Sequence, residues 1–197
     1  FSLYTGINGG FREMDYHMMS GYGILTLVIF RVIWGIIGST HSRFRSFINL
    51  SELIPYTRRL ANRDQASIAG HNPLGALSIV AMLLVLGTQA TTGLFANDDI
   101  FLEGPLVHLV DDATSDRLTT VHHFCAKTLY VLIGLHLAAI IFHELYQKDR
   151  LVLPMISGYK KGLPTSADKP SFMRESVNAS ILLAACAGFI YWLIKYV

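Results

Sequence analysis

The sequence predicts an all-α fold, a transmembrane helix bundle with four spans in this chain, on three observations. Hydrophobic residues make up 52% of the 197 and charged residues only 15%, against roughly 25% charged in ordinary soluble domains. Mean hydropathy is +0.42. Four apolar stretches approach the ~20 residues a helix needs to cross the hydrocarbon. This composition excludes disorder, a soluble nucleic-acid binder and a secreted disulfide scaffold. Length alone suggests about one domain. The net charge is only +2, so the placement of charges carries the information. Cys125 and Cys186 both lie in apolar runs, with no CxxC and no CxxCH, which leaves no redox dithiol and no covalent c-type haem attachment to expect.

The elements follow in order. FSLYTGI at the start is apolar, too short to span, and without the basic flank of a signal peptide. It reads as the tail of an earlier helix before Phe1, with a short interfacial N-terminus as the alternative, and it runs into a turn-like NGG. The spans are residues 21–39, 74–95, 119–142 and 179–194. Helix is the natural reading of each, because lipid offers no partner for unpaired backbone groups. Residues 146–178, with Gly158, Gly162, Pro164 and Pro170, read as a flexible connection to a peripheral last helix.

Loop charges orient the chain. Arg43, Arg45, Arg58, Arg59 and Arg63 lie in residues 40–73, and Lys148, Arg150, Lys160, Lys161, Lys169 and Arg174 in residues 146–178. The opposite loops, 8–20 and 96–117, hold only Arg12 and Arg117 beside eight acids. Eleven basic residues against two is a positive-inside pattern. It places the basic loops in the cytoplasm and the acidic loop 96–117 outside, in the periplasm of a Gram-negative cell.

Eight histidines are many for such a chain, and ionisable residues at membrane depth are functional candidates. His41 and His71 sit in or beside the basic loop, His108 in the acidic one, and His143 at a helix end. His122 and His136 differ. They are fourteen residues apart on one helix, only ~40° short of four full turns, so they share a face while ~21 Å of rise separates them. His123 is ~140° from His136 on the helix wheel and out of phase. His17 matches the depth of His122, and Gly21, one turn on, leaves a flat slot beside it that a planar macrocycle would need. Two histidines from facing helices are a usual grip on a haem iron. Hydrogen bonding between helices is the alternative, but it leaves the spacing of His122 and His136 unexplained. Arg31 shares the face of His17 at inner depth and suits a haem propionate, or else snorkels to the interface. Lys127 reads as a snorkelling lysine. Gln89, Thr88, Thr91 and Thr92 cluster at the outer end of the second span. They could hold a quinone head, but hydrogen bonds to backbone carbonyls are the expectation.

On these residues the chain resembles the bacterial cytochrome b561 family, which includes b-type cytochrome subunits of nickel-iron hydrogenases. The matching stretches are DYHMMSGYGILTLVIFRVIWGIIGSTHSRF (15–44), GHNPLGALSIVAMLLVLGTQATTGLF (70–95), VHHFCAKTLYVLIGLHLAA (121–139) and LVLPMISGYKKG (151–162). The resemblance is specific in combination and no single stretch would suffice. It implies a haem-binding domain over residues 1–162, with 163–197 a linker and an additional C-terminal helix, in a multi-pass chain of a bacterial inner membrane. It also implies a bundle holding two non-covalent b haems on four axial histidines, three of which fall on His17, His122 and His136. His17 and His122 would hold the outer haem. His136 and a histidine upstream of Phe1 would hold the inner one, with His71 or His41 as fallback.

The function implied is transmembrane electron transfer through b-type haem, from membrane quinol to a periplasmic redox protein such as cytochrome c, for which the acidic loop is a docking candidate. One alternative is a membrane anchor passing electrons between a periplasmic hydrogenase or dehydrogenase and the quinone pool. Another is a haem-free structural subunit of a larger membrane complex.

Overall fold

The computed structural model describes residues 7–39, 42–61, 73–98, 103–146 and 172–197. Among the described residues it is all-α, 87% helical, with no strands. Helices α1 (Ile7–Ile37), α2 (Phe44–Phe47), α3 (Leu53–Ala61), α4 (Pro73–Gly93), α5 (Asp112–Ile141) and α6 (Phe172–Tyr196) follow in chain order. Four segments are long and apolar enough to cross a membrane: Met14–Ile37, Pro73–Gly93, Asp112–Leu145 and Arg174–Tyr196. The chain is a multi-pass membrane protein. Leu84, Tyr130, Val131, Leu135 and Ile181 are each more than 60% exposed, as side chains that face lipid rather than water would be.

Two helices start earlier than hydropathy predicts. The NGG expected as a turn lies inside α1. Each glycine costs roughly 1 kcal/mol against alanine in a helix interior, a small penalty beside an unbroken hydrogen-bonded backbone of 31 residues. Helix α5 begins at Asp112, two turns before the apolar run, because its end is capped. The Thr114 N–H donates to Asp111 Oδ1 at 2.7 Å, and the Ser115 N–H donates to the Asp111 carbonyl at 2.9 Å. Asp112 then lies in the first turn, where the helix dipole favours negative charge. Hydropathy cannot see a polar helix end stabilised this way. The basic stretch after α1 also holds two short helices, α2 and α3, where only a loop was expected.

Contacts divide the chain into two units. One comprises Phe1–Ile33, Leu86–Ala126 and Asn178–Val197, the other Trp34–Val85 and Lys127–Val177. The first has a core of Leu25, Leu94, Leu106 and Ile190, with Tyr22, Ile29, Ala90 and Leu193 packed against it. Through Ile190 and Leu193, α6 joins α1 and the α4–α5 connection in one apolar cluster, while Tyr191 and Trp192 on the same helix remain exposed. Cys125 and Cys186 are free and buried.

The connection from α4 to α5 is itself a built structure. Leu106 N–H donates to the Leu94 carbonyl at 2.9 Å and Gly104 N–H to the Ala96 carbonyl at 2.7 Å. The Ser115 hydroxyl, 1% exposed, donates to the Phe95 carbonyl at 2.8 Å. The Asn97 N–H donates to Thr119 Oγ1 at 3.1 Å. These bonds lock the C-terminal end of α4 to the first two turns of α5, and so fix the register of the two helices.

In the second unit, the end of α1 is closed by Arg43, whose Nε donates to the Gly38 carbonyl at 2.7 Å. A cation there satisfies one of the carbonyls a helix C-terminus leaves over.

Candidate functional site

The first unit brings His17 of α1 to His122 of α5. Their ring centres are 6.1 Å apart and their planes meet at 86°. His17 is exposed and His122 half-buried.

Helix α4 engages both nitrogens of His122 through a single residue. His122 Nδ1 lies 2.8 Å from the Gln89 carbonyl oxygen, and His122 Nε2 lies 2.9 Å from the Gln89 side-chain Nε2. A carbonyl can only accept, so Nδ1 carries the proton and donates it. In a neutral imidazole Nε2 then holds the lone pair, and the Gln89 amide donates to it. This is the tautomer a metal-ligating histidine needs, with one ring N–H tied to a backbone carbonyl, although Nε2 here accepts from the Gln89 amide, which would have to turn away for Nε2 to bind a metal. Gln89 Oε1 is buried with no hydrogen-bond partner.

Two neighbours complete the surroundings. The Thr92 hydroxyl is 3.5 Å from His122 Nδ1 and donates to the Thr88 carbonyl at 2.8 Å and the Gln89 carbonyl at 3.1 Å. At Gly93 an added Cβ would stand 2.9 Å from His122 Cε1 and 3.2 Å from Nδ1, so the ring occupies space that any other residue would fill.

The pair has the dimensions of a metal grip. Two metal–imidazole bonds of about 2.0 Å, plus about 1.1 Å from nitrogen to ring centre on each side, put the ring centres about 6.2 Å apart. Among the described residues no group of three or more His, Cys, Asp or Glu could hold a bare ion. At Gly21, one turn from His17, nothing among the described residues lies within 4 Å of where a Cβ would be, as is also true of Gly23, Gly134 and Gly188. The residues present fit a haem.

The other expected residues fall elsewhere. His136 belongs to the second unit, where its Nδ1 is 3.5 Å from the Ser78 hydroxyl. His123 is exposed, its ring 6.1 Å from that of His122. His108 bonds the Val197 carbonyl at 2.8 Å through Nε2, and the His143 ring meets that of Phe142. Arg31 is half-buried on α1 and Lys127 is exposed. His41 and His71, the fallback ligands, and the exit segment 151–162 lie outside the described residues.

Sequence reasoning anticipated the bonding of Thr92 to backbone carbonyls and missed the role of Gln89. Its side chain turns to His122 rather than to a backbone group. The available signal was a cluster of polar residues ending in glycine at the end of an otherwise apolar helix, and that pattern names no partner.

Beyond this pair, the connection exposes the carboxylates of Asp98, Glu103, Asp111, Asp112 and Asp116. Hydrogen bonds from Thr114, side chain first and backbone second, hold the Asp111 carboxyl below its ordinary range.

A family model described as prokaryotic cytochrome b561 matches residues 1–158. No curated protein and no solved structure matches the chain.

Proposed function

The chain belongs to the prokaryotic cytochrome b561 family, b-type haem proteins of transmembrane electron transfer, and from that premise we propose how its own residues serve that activity. His17 and His122 would hold one b haem through its iron. His136 is a ligand of a second, whose other imidazole lies outside the described residues. Gly21 leaves room for the macrocycle beside His17, and Arg31, on the same face of α1, neutralises a propionate. The bound haem supplies an iron that gains and loses one electron, at a potential tuned by its axial ligands and burial. At the His17–His122 site the chain would contribute two imidazoles to the iron.

The electron donor is quinol in the lipid phase, which releases two electrons and two protons as it becomes quinone. The acceptors are one-electron redox proteins on the outer face, two molecules of a soluble cytochrome c for each quinol. The exposed carboxylates around Glu103 and Asp112 give a basic acceptor an attractive surface. Residues 1–162 form the haem-binding domain and 163–197 a linker and added helix; the extent of the family match, residues 1–158, supports this division. The orientation follows the basic loops, with the membrane the inner one of a bacterium.

The observation that carries this reading is the His17–His122 ring pair, with His122 held as the Nε2 ligand tautomer by the Gln89 carbonyl. The test is haem stoichiometry and the reduced-minus-oxidised spectrum of the purified protein. His17→Ala and His122→Ala should each remove the same haem and leave the other. Full haem content in either variant would overturn the assignment. Electron transfer to a basic cytochrome c should slow as salt rises, and a flat response would remove the docking role of the acidic connection.

A further inference from the structure

We propose that the face of α5 turned away from its histidines, made of Lys127, Val131, Gly134 and Ala138, docks a transmembrane helix of another protein that carries a carboxylate at the level of Lys127.

Helical geometry sets the face. At ~100° per residue, Lys127 stands ~180° from His136 on the helix wheel, Val131 ~140°, and Gly134 and Ala138 ~160° to either side. Their successive spacings of four, three and four residues are those of a seam between two packed helices. All four are exposed, and nothing among the described residues lies within 4 Å of where a Cβ would be at Gly134.

Lys127 is the residue that requires a partner. It lies inside the span Asp112–Leu145, and no hydrogen bond or ion pair reaches it from the described residues. Valine, glycine and alanine are at home against lipid tails, and a lysine is not. The apolar run 119–142 puts Lys127 ~5 Å from the mid-plane and ~10 Å below the edge of a ~30 Å hydrocarbon layer. A lysine side chain reaches only ~6 Å from its Cα, so its head stays within the hydrocarbon instead of snorkelling to the surface. Ionisable groups at that depth pair with a partner of opposite charge or with carbonyls.

The carboxylate does not come from this chain. The acids of its four spans, Asp15, Asp112, Asp116, Glu144 and Glu175, all lie within five residues of a span's end. A second copy in the same orientation would set Lys127 against apolar residues or another lysine. A helix that presents a histidine to a haem at His136 would stand on the opposite side of α5. The charge therefore asks for a helix of a different protein. Gly134 and Ala138, four residues apart, let its backbone approach closely on the same seam.

The test reconstitutes the haem-loaded chain in phosphatidylcholine vesicles with a leucine-rich transmembrane host peptide bearing one central glutamate. Energy transfer between dyes on the two reads their pairing. The glutamate peptide should pair about fivefold more tightly, or better, than the same peptide with glutamine. Lys127→Met should abolish that difference, and Lys127→Glu should pass the preference to a peptide with a central lysine. Gly134→Leu should weaken pairing with the glutamate peptide. Haem content should stay full in all three variants, because the face lies opposite the histidines. Equal pairing of the glutamate and glutamine peptides overturns the proposal, as does a Lys127→Glu chain that keeps the parent preference or a Gly134→Leu chain that pairs like the parent. Loss of haem in Lys127→Met would assign the lysine to the haem site instead. A disulfide-linked dimer of Gly134→Cys in native membranes would give the face to a second copy, and either result also overturns it.

Discussion

His122 and His136 sit fourteen residues apart on α5, yet α4 treats them differently. At His122 it engages both ring nitrogens, at 2.8 and 2.9 Å, and lays a glycine against the ring edge. At His136 its described contact is a single hydroxyl, that of Ser78, at 3.5 Å, the outer limit of a hydrogen bond. The first imidazole is oriented by the protein before any ligand arrives. The second owes little of its orientation to α4. Equal spacing on a helix wheel therefore does not make equal sites. The neighbouring helix decides how rigid each one is.

This contrast can be broken or sharpened by experiment, the largest effect first. His122→Ala and His136→Ala should each abolish a different haem, visible as loss of about half the reduced-minus-oxidised absorbance. Loss of the same haem in both variants would erase the comparison.

Gly93→Ala should loosen only the haem at His122, by at least about tenfold in release rate. A smaller effect concerns Ser78. Ser78→Ala should leave the His136 haem in place, because a contact at 3.5 Å has little bond to lose. Loss of that haem in Ser78→Ala would mean that the second site is as tightly held by α4 as the first.

The smallest effect concerns the start of α5. The Asp111 carboxyl is held below its ordinary range by Thr114. A depressed carboxylate stabilises the folded end fully above its unfolded-state value, and that contribution is lost as pH falls through the lower folded-state value. Amide protection factors at Thr114 and Ser115, taken against the intrinsic exchange rate at each pH, should therefore fall on acidification, and Asp111→Asn, which caps without titrating, should flatten that response. Unchanged pH dependence in Asp111→Asn would remove Asp111 as the cause.

Much of this protein is legible in one dimension. The four spans are written in hydropathy, since a lipid-facing helix must be apolar over its whole length. The shared face of His122 and His136 is fixed by the 3.6-residue repeat, and the level of His17 by its distance into the first apolar run. The helix ends were less legible. NGG belongs to α1 and Asp112 opens α5, because backbone hydrogen bonding and an Asp111 cap outweigh local composition.

What the sequence by itself determined is thus the set of spans and which histidines could meet, for these depend on local periodicity and on burial in lipid. Only the tertiary structure decided what surrounds those histidines. Gln89, Thr92 and Gly93 reach His122 because the connection between α4 and α5, tied at Phe95–Ser115 and Asn97–Thr119, sets the sliding register of the two helices and so brings together residues about thirty apart in the chain. Helical periodicity gives each helix its faces, but it says nothing of the register in which one helix lies against the next.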